Sequence, residues 1–341
     1  MEGETRFRAM GTDVHVMVVG GRVTLLELAR EFVEELELRW SRFKPSSEIS
    51  RLNAHRAEPV RVSPDTLALV QRALDGAHIT GGRYDPTVLG AVLQAGYDRS
   101  FELLAEPATG HGNGTGTGTG RRPPGAPPPR LRHAWKAIAI DPAASTVTLP
   151  GGVGFDPGGI GKGYAADLLV AELLHQGAAG VCANLGGDLR VAGEPPLGRS
   201  WRIAIEHPLW RTQAATVGLR AGAVATSSRT RRAWGPPGDR RHHLIDPATG
   251  QPARNRIASA SVVAAEAWQA EVLAKALFLG GLGDGFALLD RTGTNGLLID
   301  DQGAMYPSAG FGQFTGTGRR SRPSMDRAAN SAAQQLQEAV K

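Results

Sequence analysis

The sequence predicts an α+β fold with largely antiparallel sheets and packed helices. Strand-like segments, in which apolar and polar residues alternate, follow one another in pairs. Stretches with apolar residues at helical spacing lie between these pairs, and no sequence repeat accompanies the order. A doubly wound sheet would alternate single strands with helices along the whole chain. We therefore expect hairpins that are covered by helices.

The first part of the chain begins with a strand and a long helix. In the strand, Val14, Val16 and Val18 share one face, whereas the helix carries Leu and Val at helical spacing. The predicted elements, in order, are a strand at 7–19, a helix at 24–40, a loop leading into a helix at 84–93, and short strands at 137–140 and 146–149.

The second part contains a helix, a series of strands and another long helix. Gly177 ends the first of these helices, because glycine readily adopts the conformation that terminates a helix. The polar segment 234–241 is expected to be an exposed loop. The predicted elements are a helix at 162–176, strands at 181–185, 188–192, 202–206, 216–220 and 224–228, a helix at 266–279, and a strand at 296–299.

One folded domain is expected over residues 5–305. Residues 107–130 are rich in Gly, Thr and Pro and cannot bury apolar surface, so they are predicted to be a disordered insertion. Residues 315–341 lack a convincing apolar face and are predicted to be a mobile polar tail.

Composition places the chain among ordinary globular proteins. Its 341 residues can bury a large core, and 41% of them are hydrophobic and 21% charged. The 38 Lys and Arg exceed the 33 Asp and Glu, which suits an anionic ligand. The sequence shows no zinc-finger spacing, RNA-binding aromatic motif or concentrated basic helix, which argues against nucleic acid as a partner.

Cysteine content and the N-terminus bear on the compartment. Cys182 is the only cysteine, which excludes an intrachain disulfide and a thiolate metal site, and its apolar surroundings predict a buried structural thiol. Residues 1–7 show no apolar signal segment or lipidation cysteine, and no apolar run approaches membrane-spanning length. We expect a cytoplasmic protein that does not insert into a membrane, although a membrane-associated partner could hold it there.

The most informative stretch is residues 156–167. Four glycines, Lys162 and Asp156 lie at the entrance of a predicted helix. Helix N-terminal amides carry partial positive charge, glycines let an anion approach the main chain, and the lysine adds a full charge. A nucleotide or dinucleotide is therefore the expected ligand, and a turn built only for tight packing is the alternative. Neither the G-x-G-x-x-G nor the P-loop spacing fits.

Residues 156–165, DPGGIGKGYA, resemble the signature of the FAD:protein FMN transferase (ApbE) family, whose usual form is DLGGIAKGYA. Further blocks occur in the family's order, so that the resemblance covers nearly the whole chain from 7 to about 303. These blocks are AMGT (9–12), SRF (41–43), SEISRLN (47–53), YDPTV (84–88), NLGGD (184–188), VATSS (224–228), HLIDPATG (243–250) and EVLAKALF (271–278).

The resemblance implies a two-lobed ApbE-like fold with FAD between the lobes. It further implies an enzyme that splits FAD at its pyrophosphate, transfers FMN to a threonine or serine hydroxyl of a partner protein and releases AMP, normally with a divalent metal, usually Mg²⁺. Flavin-accepting partners in such systems are typically membrane-associated electron-transfer proteins. FAD pyrophosphate hydrolysis to FMN and AMP, and flavin binding without catalysis, remain the alternative functions.

The resemblance also assigns FAD-contacting positions. Asp156 could also cap the turn that follows it, although that role would not explain the nearby lysine, and an apolar residue is more often part of the core than of a cofactor wall. A flavin ring needs flat apolar walls, which fits the residue types. The matched positions are Met10, Phe43, Tyr84, Asp85, Asp156, Lys162 and Ile245.

His243 and Asp246 are the catalytic candidates. Histidine titrates near neutral pH and can take a hydroxyl proton, so His243 is the candidate general base. Substrate positioning by a hydrogen bond is its alternative role, and His242 is a rival base. Asp246 would either orient an imidazole or cap its own turn, and the sequence leaves both roles open.

The metal positions depart from the family pattern. Gly159 could offer only its carbonyl oxygen, and the family's Asp-Ala-X-X-Thr, whose acid and hydroxyl share one helix face, is replaced by Glu271 and Lys275. A charged lysine has no lone pair and repels a cation. Lys275 therefore either replaces the charge of the metal beside the pyrophosphate or pairs with Glu271 in an i,i+4 salt bridge.

Overall fold

The computed structural model describes residues 2–101, 104, 133–196, 199–210, 212–235 and 240–316. The predicted insertion at 107–130 and the tail from 317 to 341 lie outside the described residues. The described helices are α1 (Thr24–Trp40), α2 (Glu48–Ala54), α3 (Pro64–Ile79), α4 (Leu89–Gln94), α5 (Gly161–His175), α6 (Ala267–Gly280), α7 (Phe286–Thr292) and α8 (Gly312–Thr315), with a 3₁₀ turn at Ala134–Ala137 and a π turn at Gly281–Gly285.

An eight-stranded sheet forms the centre of the molecule. Its order is β1-β2-β6-β7-β10-β15-β16-β17, and every neighbouring pair is antiparallel. The predicted α+β class with largely antiparallel sheets is therefore confirmed. The strands are β1 (Glu2–Ala9), β2 (Thr12–Val19), β3 (Pro59–Arg61), β4 (Ala139–Asp141), β5 (Thr146–Thr148), β6 (Gly180–Leu185), β7 (Asp188–Gly193), β8 (Trp201–Glu206), β9 (Gln213–Leu219), β10 (Gly222–Ser228), β11 (Ala233–Trp234), β12 (Arg241–His242), β13 (Ile245–Asp246), β14 (Gln251–Pro252), β15 (Ile257–Ala264), β16 (Asn295–Asp300) and β17 (Met305–Pro307).

The first strand of the sequence is a hairpin rather than one continuous strand. β1 and β2 pair across a two-residue turn, in which Met10 has φ 52° and Gly11 has φ 63°. Two positive φ values match the twist of a two-residue hairpin, which glycine adopts freely and methionine only at a cost. The prediction of a single strand at 7–19 is thus wrong, because the alternation continues across the turn.

The central sheet is covered on both faces. On one face, α1, α5 and α6 bury the main core, which includes Val14, Val16 and Val18 as predicted. On the other face, the β8–β9 hairpin covers a second apolar cluster. Strand β15 is buried at every position, as expected for a strand covered on both faces.

Helices α5 and α6 cross at very close range, and this contact positions the functional side chains. A Cβ atom at Gly163 would lie 2.4 Å from the Ala267 carbonyl oxygen, so only glycine permits the approach. The Asp167 carboxylate accepts hydrogen bonds from the Ala267 and Trp268 amides at 2.8 and 2.9 Å, which satisfies the N-terminus of α6. Burial raises the pKa of Asp167 to about 6.

Two further expectations need correction. The helical stretch Ala267–Thr292 has the length and apolar composition of a membrane-spanning helix, because the π turn links α6 to α7, yet more than half of its most apolar part is buried within the protein. In the segment 234–241, of which residues 236–239 lie outside the described residues, Gly235, Arg240 and Arg241 are exposed as expected. Trp234 is instead half-buried, donates to the Ala95 carbonyl oxygen at 2.9 Å and packs on Tyr97.

Candidate active site

A cavity of about 710 Å³ opens where the turns of the central sheet meet the start of α5 and the middle of α6. Its walls come from the β1–β2 turn, the loop after α1, the glycine turn before α5, the β6–β7 turn and the end of β10. This volume lies within the usual range of small-molecule sites. Eight of the residues assigned from the sequence line it, namely Met10, Phe43, Asp156, Gly159, Lys162, His243, Glu271 and Lys275.

Tyr84 and Ile245 do not line this cavity. Both side chains are fully buried, and Ile245 belongs to an apolar cluster with Val92 and Tyr97. The Tyr84 ring lies beneath the cavity, with its centroid 5.5 Å from the Lys275 ammonium. Its hydroxyl has no hydrogen-bond partner among the described residues, and burial raises its pKa well above 10.

Asp85 and Asp246 border a different cavity, of about 670 Å³. The Asp85 carboxylate accepts from the Thr87 amide at 2.8 Å, and burial raises its pKa. The Asp246 carboxylate accepts from the Ala248 amide at 2.8 Å, as an aspartate that caps its own turn does. Asp246 therefore lines the second cavity, whereas His243 lines the first.

The glycine turn has fewer free amides than its sequence suggests. The Gly158 amide donates to the Asp156 carboxylate at 3.2 Å, and the Gly161 amide donates to the Pro157 carbonyl oxygen at 2.9 Å. The amide of Gly163, the third residue of α5, donates to Glu271 Oε2 at 2.8 Å. Asp156 thus both caps the turn and lines the cavity.

Lys162 lies between two buried carboxylates. Its ammonium donates to Asp188 Oδ2 and lies 3.3 Å from Glu271 Oε1. The carboxylate side chains are only 2% and 6% exposed, so the lysine neutralises charges that are largely shielded from water. Burial lowers the pKa of Lys162, and the negative charge of Glu271 opposes that shift.

Lys275 points to the glycine turn rather than to its neighbour on α6. Its Nζ donates to the Gly158 carbonyl oxygen at 3.3 Å. Within the described part of the chain, Glu271 forms its ion pair with Lys162, and no i,i+4 pair with Lys275 forms. Burial lowers the pKa of Lys275, whereas the carboxylates of Asp156, Glu271 and Asp85 raise it.

The side chains present do not fit a magnesium site. Mg²⁺ requires oxygen ligands in near-octahedral geometry. The carbonyl oxygen of Gly158, next to Gly159, instead accepts a hydrogen bond from the Lys275 ammonium. Both Glu271 oxygens already contact protein donors. Among the residues that the structure describes, no group of three or more His, Cys, Asp or Glu is arranged to hold a metal ion.

The two histidines differ in their environment. His243 lines the cavity, and its Nδ1 lies 3.4 Å from the Arg232 carbonyl oxygen, which can only accept, so Nε2 keeps the lone pair. His242 is buried, with Nε2 directed to the Ala253 carbonyl oxygen and Nδ1 accepting from the Leu244 amide. His242 therefore has no free nitrogen to take a proton.

The surroundings of His243 keep its imidazole neutral. Burial holds the pKa of His243 well below 6.5, and the positive charges of Arg232 and Lys275 lower it further. A neutral imidazole with an available lone pair is the form that a general base requires.

Sequence reasoning missed Arg42, although its motif was visible. The guanidinium lies 3.6 Å from Asp156, donates to the Tyr97 carbonyl oxygen at 2.9 Å and contacts the rings of Phe43 and Tyr97. Its second terminal nitrogen is buried and has no hydrogen-bond partner within the described residues. Arg42 lines the cavity, so its guanidinium places a positive charge and an unpaired donor at the cavity wall.

Comparison with known proteins gives consistent matches. The family model described as the ApbE family matches residues 10–298. A Vibrio cholerae protein named FAD:protein FMN transferase is 30% identical over 294 residues, which cover 83% of this chain and 82% of the relative. A Treponema pallidum protein of the same name is 29% identical over 307 residues, covering 84% and 80%.

Solved structures agree with the sequence matches. The crystal structure of the ApbE protein from Thermotoga maritima has a TM-score of 0.78 at 27% identity, covering 92% of this chain and 99% of that one. The flavin transferase ApbE from Vibrio cholerae has a TM-score of 0.72 at 26% identity, covering 92% and 100%.

Proposed function

Because the chain belongs to the ApbE family, we propose that it is an FAD:protein FMN transferase. The observation that carries this proposal is that the family match coincides with one large cavity lined by the signature residues Asp156, Gly159 and Lys162. The size of the cavity and its surplus of cationic side chains suit an anionic dinucleotide.

In the proposed reaction, a hydroxyl oxygen of the acceptor protein attacks the phosphorus of the FMN half of FAD. The bond between that phosphorus and the bridging oxygen of the diphosphate breaks, and AMP leaves with the bridging oxygen. The acceptor gains FMN through a phosphoester bond and loses one proton. We propose threonine or serine as the acceptor residue, since their hydroxyls supply such a nucleophile.

His243 is proposed as the group that takes the hydroxyl proton. It lines the cavity, its imidazole is neutral near pH 7, and its Nδ1 is oriented by the Arg232 carbonyl oxygen. A base of this kind typically contributes about 10²–10⁴-fold to the rate.

Cationic side chains are proposed to bind the diphosphate. Lys162, Lys275 and Arg42 line the same cavity, and one terminal nitrogen of Arg42 has no hydrogen-bond partner among the described residues. Met10 and Phe43 also line it and would provide apolar walls for the isoalloxazine ring. Phosphoryl transfer depends mainly on positioning and charge stabilisation, which this arrangement supplies.

The test is to incubate the purified chain with FAD and with soluble domains of flavin-accepting electron-transfer proteins. Chromatography measures AMP, and mass spectrometry of the acceptor measures an added FMN. We expect both products together. FMN and AMP without an acceptor adduct would instead identify a hydrolase, and retained FAD without AMP would identify a non-catalytic flavin-binding protein.

A pair of histidine variants sharpens the test. His243→Ala is expected to lower transfer by about 10²–10⁴-fold while FAD still binds. His175→Ala, at the exposed last residue of α5, is expected to match the wild type. Equal activities for the two variants would refute the assignment of His243.

A further inference from the structure

Lys275 occupies the position at which the family pattern has a metal ligand. Its side chain is 4% exposed, and its Nζ donates to the Gly158 carbonyl oxygen at 3.3 Å. A Cβ atom at Gly159 would lie 3.0 Å from Lys275 Cδ and 3.3 Å from its Nζ. The ammonium therefore lies directly against the turn whose carbonyl would offer a metal its oxygen.

The other donors around this position are also committed. Glu271, at the acidic position of the pattern, accepts from the Gly163 amide at 2.8 Å and contacts the Lys162 ammonium at 3.3 Å. A divalent cation would have to displace these bonds and approach a fixed ammonium of the same sign. Coulomb repulsion at such a distance in a buried site opposes this arrangement.

The carboxylates around Lys275 oppose the cost of burying its charge. Burial lowers the pKa of Lys275, whereas Asp156, Glu271 and Asp85 favour its charged form, and the Tyr84 ring lies 5.5 Å from its Nζ. A lysine ammonium is an effective binder of phosphate as a point charge. Since Lys275 lines the cavity beside the glycine turn, its charge is available to a bound diphosphate.

We propose that the Lys275 ammonium replaces the divalent metal in this chain, so that FAD binding and FMN transfer proceed without Mg²⁺. The proposal rests on the proposed function and changes one of its parts. The positive charge that neutralises the diphosphate is covalently attached to α6 and needs no metal loading.

The first experiment uses the unmodified protein. FAD affinity is measured by quenching of flavin fluorescence, and AMP release by chromatography, in excess EDTA and in excess Mg²⁺. We expect both quantities to agree within about twofold between the two conditions. The proposal would be overturned if EDTA lowered FAD affinity or AMP release by about tenfold or more and Mg²⁺ restored it. A tenfold change in affinity corresponds to a metal contribution of about 1.4 kcal/mol.

The second experiment rebuilds the oxygen ligands. Combining Glu271→Asp with Lys275→Thr places an acid and a hydroxyl four residues apart on one face of α6. We expect FAD affinity of this double variant to fall in EDTA by about tenfold and to recover with Mg²⁺. Lys275→Met keeps the side-chain length but removes the charge, and its loss should not recover with Mg²⁺.

Lys136→Met is the matched control, because Lys136 is exposed and lies outside the cavity. It is expected to behave as the wild type in both conditions. Thermal melts establish that each variant is folded. If Lys275→Met binds FAD as tightly as Lys136→Met does, the proposal is wrong.

The binding measurement separates this inference from the proposed function. Absence of AMP and adduct under all conditions counts against the transferase activity, whereas the Mg²⁺ dependence of FAD affinity still decides the role of Lys275. Metal-independent binding that Lys275→Met weakens supports the inference. Metal-dependent binding refutes it, whatever the activity.

Discussion

Replacing Gly163 with alanine tests the contact that sets the distance between α5 and α6. The added Cβ atom would lie 2.4 Å from the Ala267 carbonyl oxygen, 2.6 Å from the Ala267 carbonyl carbon and 2.9 Å from the Trp268 nitrogen. All three atoms belong to the backbone, so no side-chain rotation relieves the overlap. Because Cβ atoms essentially never approach such atoms within 3.0 Å, the helices must separate by at least about 0.6 Å.

We expect this separation to cost about 2 kcal/mol of unfolding free energy. Overpacking a dense core typically costs about 1–3 kcal/mol, and the upper part of the range applies because Asp167 anchors the first amides of α6. The alanine returns about 0.5–1 kcal/mol through its better helix propensity. The separation also stretches the 2.8 Å bond from Gly163 to Glu271 beyond the normal range.

We expect Gly163→Ala to lower catalytic activity by more than its effect on stability alone suggests. Glu271 contacts Lys162, so moving α6 displaces charged groups that line the cavity. A displacement of 1 Å can cost about 10²-fold in rate, and we expect at least about a tenfold fall in kcat/KM for AMP release.

Urea denaturation followed by circular dichroism gives the free energy of unfolding, and chromatography of AMP gives kcat/KM. The matched control is Gly90→Ala in α4, where a Cβ atom meets nothing within 4 Å, and we expect it to be neutral or up to about 1 kcal/mol more stable. If Gly163→Ala proves as stable and as active as Gly90→Ala, the argued helix contact does not govern the site.

Three further outcomes are expected. Lys162→Met should lower the free energy of unfolding, measured by urea denaturation, by about 3 kcal/mol because it leaves two buried carboxylates without their lysine partner. Lys44→Met, whose ion pair is more exposed, should lower it by less than about 1 kcal/mol. Equal losses in the two variants would contradict this. Burial holds the pKa of His243 well below 6.5, so the imidazole stays neutral as the pH falls through 6.5, and the acid limb of the transfer rate should have its midpoint below that value; a midpoint at or above pH 6.5 would refute the assignment. Burial raises the pKa of the Cys182 thiol to about 12, so iodoacetamide at pH 8 should modify the folded protein far more slowly than the protein in urea, as measured by mass spectrometry, and similar rates would show that the thiol is accessible.

Local patterns in the sequence were sufficient for most elements. The helix at 24–40 matches α1, and the helices at 162–176 and 266–279 match α5 and α6 within a residue or so, because amphipathic or apolar periodicity and terminal glycines are local properties. The signature before α5 placed Asp156, Gly159 and Lys162 in one cavity, since neighbouring residues of a turn stay together in any fold.

Other features could not be predicted from local sequence, because they depend on the strands or side chains against which a segment packs. Strand β15 was not predicted, since a strand buried on both faces has no alternation to detect. The turn at Met10 and Gly11 was hidden because alternation continues across it. The half-burial of Trp234 was not predicted, because its partners, Tyr97 and the Ala95 carbonyl oxygen, are distant in sequence.

The sequence by itself determined the α+β class, the family and the stretch that lines the cavity, because these depend on residue order and short spacings. Only the tertiary structure decided which charges pair. It joined Glu271 to Lys162 and directed Lys275 to the Gly158 carbonyl oxygen, although an i,i+4 pair was equally consistent with the sequence. It also placed Asp246 at the second cavity, where its carboxylate caps its own turn. The physical reason is that ion pairing depends on distance and burial, and both are set by the close crossing of α5 and α6 at Gly163.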